Sequence, residues 1–259
     1  MYTFDIERPA TIAEAVNALG GETMPLSGGQ TLIPTLKARL ASPDKLVSLA
    51  GVSEMQGISL DGGILTIGGT TVHADVATNG SYPALSQLAA NIGDPAVRNR
   101  GTIGGSIANN DPAACYPAAA LASGATIVTN TREIAADDYF LGMFDTALEE
   151  GEIVTAVKFP IPEKANYQKF VQPASRFALV GVFVAKTSDG VRVAVTGASN
   201  EGVHRWNAAE DALAADFSAA ALEGLTVSSD DMISDLHGSP EYRAHLVKVM
   251  TARAVSAAS

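Results

Sequence analysis

The segment Arg98-Asn99-Arg100-Gly101-Thr102-Ile103-Gly104-Gly105-Ser106-Ile107-Ala108-Asn109-Asn110-Asp111-Pro112 decides how the rest of the chain is read. It sets three glycines and six hydrogen-bonding side chains (Asn99, Thr102, Ser106, Asn109, Asn110, Asp111) around only two large apolar residues, Ile103 and Ile107. That composition predicts a binding loop and argues against an ordinary core strand or helix. Glycine lets backbone approach a ligand with no Cβ in the way, and a glycine pair followed by Ser or Thr predicts N–H groups free to face an anion.

Working outward, a second stretch of the same character lies upstream at Leu26-Ser27-Gly28-Gly29-Gln30-Thr31-Leu32. A short apolar run, Thr23 to Ser27, enters the glycines, and a helix over Thr31 to Leu40 is predicted to leave them. The order strand, glycine turn, helix suits a pyrophosphate held by main-chain amides. The spacing is not G-x-G-x-x-G, and no Lys follows the glycines, so neither a Rossmann nor a P-loop site is indicated. Two such loops in one chain suit one long phosphorylated ligand.

The 28 acidic against 17 basic residues give a formal net charge of -11, which disfavours nucleic acid and anionic membranes as partners. No stretch approaches the roughly 18 apolar residues of a membrane span, and the N-terminus is charged, so no integral membrane segment and a cytoplasmic location are expected. The single cysteine, Cys115, leaves no internal disulfide and no cysteine-ligated cluster within the chain. The four histidines, His73, His204, His237 and His245, are scattered, which predicts surface or hydrogen-bonded roles and no metal site.

Thr11-Ile12-Ala13-Glu14 has capping-box spacing before a helix that stops at Gly20-Gly21. Lys45 to Leu49 reads as a strand, and residues 58 to 67 as a hairpin around Asp61-Gly62-Gly63, closed by Gly68-Gly69-Thr70-Thr71. Helices are predicted over His73 to Thr78, Tyr82 to Ile92 and Pro117 to Ser123, and strands over Ala125 to Val128 and Glu152 to Phe159. Pro160-Ile161-Pro162 is read as a domain boundary. Beyond it, Phe177 to Lys186 and Val191 to Thr196 flank a second hairpin turn, and Ala208 to Ala215 and Pro240 to Val255 read as helices. The architecture expected is α+β with mixed sheets.

With these residues in hand, the chain resembles the flavoprotein (medium) subunits of the molybdenum hydroxylases, the family of aerobic carbon monoxide dehydrogenase and xanthine dehydrogenase. The likeness rests on the two glycine motifs in order, on the opening Phe4 to Leu19, on Glu152-Ile153-Val154, and on Tyr167-Gln168-Lys169-Phe170 through Ala178. It implies an FAD-binding domain of the vanillyl-alcohol-oxidase (PCMH) type over residues 1–162, with two subdomains split near 57, and a small α+β C-terminal domain over 163–259.

The resemblance further implies that Leu26 through Leu32 wrap the pyrophosphate and that Thr102, Ile103, Gly104, Gly105 and Ser106, on to Asn110 and Asp111, lie along the cofactor. Val154 is then expected near the ring system and Lys169 close to the flavin. Relatives often carry an acidic residue where this chain has Cys115, a poor hydrogen-bond acceptor, so either Asp111 or Asn110 is expected to take over its part or the ligand is held differently there.

No catalytic acid or base is expected. Electrons would arrive from a small iron-sulfur subunit, which takes them from a large molybdopterin subunit, in a hetero-oligomer expected to be a dimer of heterotrimers. FAD here would pass them to an external acceptor. Two alternatives stay open at this level: a free-standing FAD-dependent oxidoreductase with its own substrate, and a non-enzymatic nucleotide-binding module.

Overall fold

The computed structural model describes residues 1–258. Its N-terminal part is a three-stranded parallel sheet of β1 (Asp5–Glu7), β2 (Thr23–Leu26) and β3 (Lys45–Ser48), with β3 in the centre. Helix α1 (Ile12–Ala18) starts where the capping box requires, since the Thr11 hydroxyl accepts from Glu14 N. It covers one face with Ala15 and Ala18 against Val47 and Leu49. Helix α2 (Leu32–Lys37) is shorter than predicted. Arg39 turns left-handed at φ 59, and Leu40 N reaches back to Thr35 O.

The second layer begins with the β4 (Ile58–Asp61) and β5 (Ile64–Gly68) hairpin, closed by Gly62 and Gly63 at positive φ as the turn demands. Helices α3 (His73–Asn79), α4 (Pro83–Ala90), α5 (Pro95–Arg98), α6 (Ile103–Asn109) and α7 (Tyr116–Ser123) follow. Strands β6 (Thr126–Thr129) and β7 (Glu133–Ala135), helix α8 (Ala136–Tyr139) and a small ribbon of β8 (Phe140–Gly142) and β9 (Asp145–Thr146) lead to β10 (Val154–Pro160). The five-stranded sheet has the order β4-β5-β10-β6-β7 and is antiparallel throughout.

After Pro160 the chain enters a different sheet, β11 (Lys164–Val171), β12 (Ala178–Thr187), β13 (Gly190–Ser199) and β14 (Gly202–Arg205), also antiparallel. The mixed sheets expected from sequence are therefore absent among the described residues: one sheet is purely parallel and the others purely antiparallel. The crossover helices that a parallel pair needs occur only in the first fifty residues, and tight turns join much of the remainder.

Period-two alternation in β12 explains how this last sheet is used. Val180, Val182 and Val184 face α9 (Asn207–Ala215) and α10 (Pro240–Ala257), while Phe183 and Ala185, with Ala194 of β13, face the core that contains α7. All eight residues of α7 are buried. The core under the five-stranded sheet thus continues into the C-terminal sheet.

Candidate functional site

The two glycine segments meet. Ser27 Oγ and Thr102 Oγ1, 75 positions apart, are hydrogen-bonded at 2.7 Å. Gly28 lies against the backbone of Arg100 and Gly101, so that a Cβ there would overlap Arg100 O and come within 2.7 Å of Gly101 Cα. Here the glycine serves close approach of two main chains. None of the N–H groups of Ser27, Gly28, Gly29, Gln30 and Thr31 donates to a main-chain acceptor outside the sheet, whereas Gly29 O and Thr31 O accept from Ile33 N and Thr35 N to start α2. Gly29 holds φ +72, the conformation that turns successive amides to one side.

The second segment departs from its predicted form. From Ile103 to Asn109 it is a helix, α6, and not a loop. Thr102 caps it by accepting from Gly105 N at 3.2 Å, Ile103 N donates to Thr71 O, Gly104 N to Gly69 O and Ser106 N to Thr102 O. The amides expected to be free are engaged.

The glycine pair has another purpose. A Cβ on Gly104 would stand 2.5 Å from Gly69 O, and one on Gly69 would collide with the carbonyl of Val154. Gly69 N in turn donates to Thr155 O at 2.7 Å. Three main chains are stacked in van der Waals contact, and this sets α6 down on β10 at Val154. The Gly68-Gly69 pair, read as hairpin closure, is the middle of that stack.

Asn110 ends α6 in the left-handed conformation at φ 42, and its side chain is committed elsewhere than expected. Its Nδ2 donates to Gly142 O at 2.7 Å and Asp145 O at 2.9 Å, and the main-chain carbonyl of Asn110 accepts from Phe144 N. Asn110 is a clamp on the β8–β9 ribbon, because a buried amide with two carbonyls in reach satisfies itself there. Asp111 uses one carboxylate oxygen to accept from Ala113 N at 2.8 Å.

Cys115 is buried and Lys169 lies beside it: Nζ donates to Asn91 O at 2.7 Å and approaches Sγ at 3.6 Å. Tyr167, two residues before Lys169 on β11, has a buried hydroxyl without a protein partner. Burial pushes its phenol well above the usual range, with Cys115 adding to the effect. Gly181 across the strand pair leaves room for this ring, since a Cβ there would strike the Tyr167 hydroxyl.

His73 lies between Gly101 and Tyr116 and is neither exposed nor hydrogen-bonded through Nδ1, contrary to expectation. Its ring occupies the space a Gly101 side chain would need, with Nε2 2.6 Å from that Cβ position, and packs on the Tyr116 ring at 5.3 Å between centroids. Burial, helped by the Arg98 guanidinium, lowers its pKa to about 4. A lone histidine opening a short helix carries no sequence signal for this part, and Gly101 was the one available hint.

Residues 2–162 match the family described as FAD binding domain in molybdopterin dehydrogenase. The carbon monoxide dehydrogenase medium chain of Afipia carboxidovorans is 34% identical, over 99% of this chain and 96% of the relative. The chain belongs to the FAD-binding medium subunits of the molybdenum hydroxylases.

Among solved structures, reconstituted CO dehydrogenase from Oligotropha carboxidovorans superposes with a TM-score of 0.90 at 31% identity, covering 98% of this chain and 97% of that one. Quinoline 2-oxidoreductase from Pseudomonas putida 86 gives 0.87 at 31%, covering 98% and 96%. For a medium subunit of this family, the five main-chain amides at Ser27–Thr31, none of them engaged outside the sheet, are chemically suited to the FAD pyrophosphate. No group of His, Cys, Asp or Glu among the described residues is arranged to hold a metal ion. Among the described residues no helix is long and apolar enough to cross a membrane.

Proposed function

We propose that this chain is the FAD-carrying electron-transfer subunit of a cytoplasmic molybdenum hydroxylase complex. It would receive electrons from an iron-sulfur subunit that draws on a large molybdopterin subunit, the whole forming a dimer of heterotrimers, and pass them to an external acceptor. The observation that carries this reading is the joined pair of turns, with Ser27 hydrogen-bonded to Thr102 and Gly28 in backbone contact with Gly101.

Bound FAD supplies the ability to collect single electrons and deliver a pair. The chain's own part is to bind and orient. The amides of Ser27 to Thr31 hold phosphate oxygens without spending cations in an acidic chain. Val154, Asp111, Cys115 and Lys169 line the rest of a vanillyl-alcohol-oxidase (PCMH) type site, in which residues 1–162 form the flavin domain in two subdomains split near 57 and 163–259 close it.

The substrate is decided on another subunit. In support, the chain is equally similar, at 31% identity, to a solved protein that oxidises carbon monoxide and to one that oxidises quinoline.

The test is the absorbance spectrum of the purified protein and of two variants. Flavin bands are expected in the native protein and in Gly224→Ala, where a Cβ meets nothing within 4 Å. Gly28→Ala, whose Cβ forces the two turns apart, is expected to lose most of the flavin. A colourless native protein carrying another nucleotide, or full flavin retention in Gly28→Ala, overturns the reading.

A further inference from the structure

His73 is a buried group that the proposed function leaves unused. The residue is 5% exposed and its Nδ1 has no partner, an unfavourable way to hold an imidazole inside a protein. Its main chain and its ring are both applied to Gly101. His73 N donates to Gly101 O at 2.9 Å, Val72 bridges Thr102, and Ile103 N donates to Thr71 O at 3.1 Å, so residues 71–73 run antiparallel beside 101–103. The ring fills the space on the Cβ side of Gly101, where Nε2 and Cδ2 stand 2.6 and 2.9 Å from the position a Cβ would take.

Behind the imidazole stands the Tyr116 ring, fully buried, which leaves His73 no room to retreat. Gly101 also meets Gly28, whose own Cβ position falls 2.7 Å from Gly101 Cα. The next residue, Thr102, carries the hydroxyl bonded to Ser27. The junction of the two turns rests on Gly101, and Gly101 rests on His73.

We propose that His73 is a positioning residue for the flavin, its ring fixing the place of Gly101 and so keeping the two glycine turns at the spacing FAD needs. Turns held in place before the ligand arrives bind it more tightly than turns the ligand must order. With the ring removed, Gly101 has a void beside it, the contact with Gly28 and the Ser27–Thr102 bond loosen, and FAD has to restore them on binding. A neutral imidazole suits this part: burial, helped by the Arg98 guanidinium, holds its pKa at about 4, so no charge lies under the turn. The inference rests on the flavin site proposed above.

The test is an FAD titration of the assembled complex after its flavin has been removed, with melting temperature measured alongside. His73→Ala is expected to bind FAD about tenfold more weakly. Leu213→Ala, a truncation in the C-terminal core, is expected to lower the melting temperature at least as much and to stay within about twofold of native affinity, which separates positioning from general loss of stability. Gly101→Ala sets a methyl against the imidazole and is expected to weaken binding by about tenfold as well. In the His73→Ala background that methyl enters the vacated space, so the double variant is expected to bind at least as tightly as either single one.

Native affinity in His73→Ala overturns the inference, and so do losses that simply add in the double variant or an equal loss in Leu213→Ala. Should His73→Ala fail to fold, native affinity in Gly101→Ala overturns it alone. A native complex that carries no flavin and takes up none fails the underlying reading and this inference with it. A native complex that binds FAD, beside variants that bind it equally well, fails the inference only.

Discussion

A methyl group on Gly104 would meet Gly69 O at 2.5 Å and Gly69 Cα at 2.8 Å, so this glycine is required by the fold as much as by a ligand. Sequence alone made the site recognisable as glycine-rich, and correctly put Gly28 and Gly104 in one neighbourhood, but it assigned their missing side chains to ligand clearance. Glycine spacing does not distinguish backbone stacked on backbone from backbone stacked on a cofactor.

His73 was harder still, because nothing in a chain-local pattern says that a histidine will be sealed beneath Gly101, 28 residues on. It supports a prediction with a definite sign. Above pH 6.5 the imidazole is neutral in both folded and unfolded chains and contributes no pH dependence. Below 6.5 the unfolded chain takes up a proton first, and stability falls until the folded-state value of about 4 is passed. At about 1.4 kcal/mol per unit, the total loss is about 3 kcal/mol. Denaturant unfolding between pH 7 and 5 is expected to show this slope in the native protein and a flatter one in His73→Gln.

Among elements, α6 shows most clearly where reading by composition stops. A seven-residue helix with two glycines near its start has poor intrinsic propensity. It forms because Thr102 caps it, Gly69 receives the Gly104 amide and Asn110 ends it at positive φ. The cap is local, but Gly69 lies 35 positions upstream of Gly104 and the ribbon 32 to 35 positions downstream of Asn110, beyond the reach of any local pattern. The two tight hairpins at Asp61-Gly62-Gly63 and Thr187 to Gly190 were legible because turn chemistry is local.

The entry to β10 rests on a comparable tertiary device. Glu152, only 3% exposed at its side chain, accepts from Arg132 Nε and Nη2 at 2.9 Å each and from Glu149 N at 2.8 Å, with Thr131 Oγ1 also bonded. The Arg132 guanidinium above all holds this carboxyl well below the usual carboxylate range. Its contribution is present above the ordinary carboxylate pKa and fades as pH drops below it. Glu152→Gln is expected to cost about 2 kcal/mol in urea unfolding at pH 7, with the difference from the native protein narrowing in acid. Equal stability at pH 7 refutes the assignment.

For the molecule as a whole, the α+β class and the order of the pieces were legible in the residues, whereas the interior they share was not. Pro160 to Pro162 separates two sheets, yet Phe183, Ala185 and Ala194 from the far side pack in one core with α7 from the near side. Residues 1–162 expressed alone would expose that face of α7. The fragment is expected to melt without a cooperative transition in calorimetry, whereas a sharp transition would show that the two parts fold separately. For anyone recombining this subunit with a relative, the practical crossover point therefore differs from the visible change of sheet. A chimera joined at 162 would press one parent's helix onto the other parent's strands, while a graft that carries Tyr116 to Ser123 along with the C-terminal sheet would keep matched surfaces together.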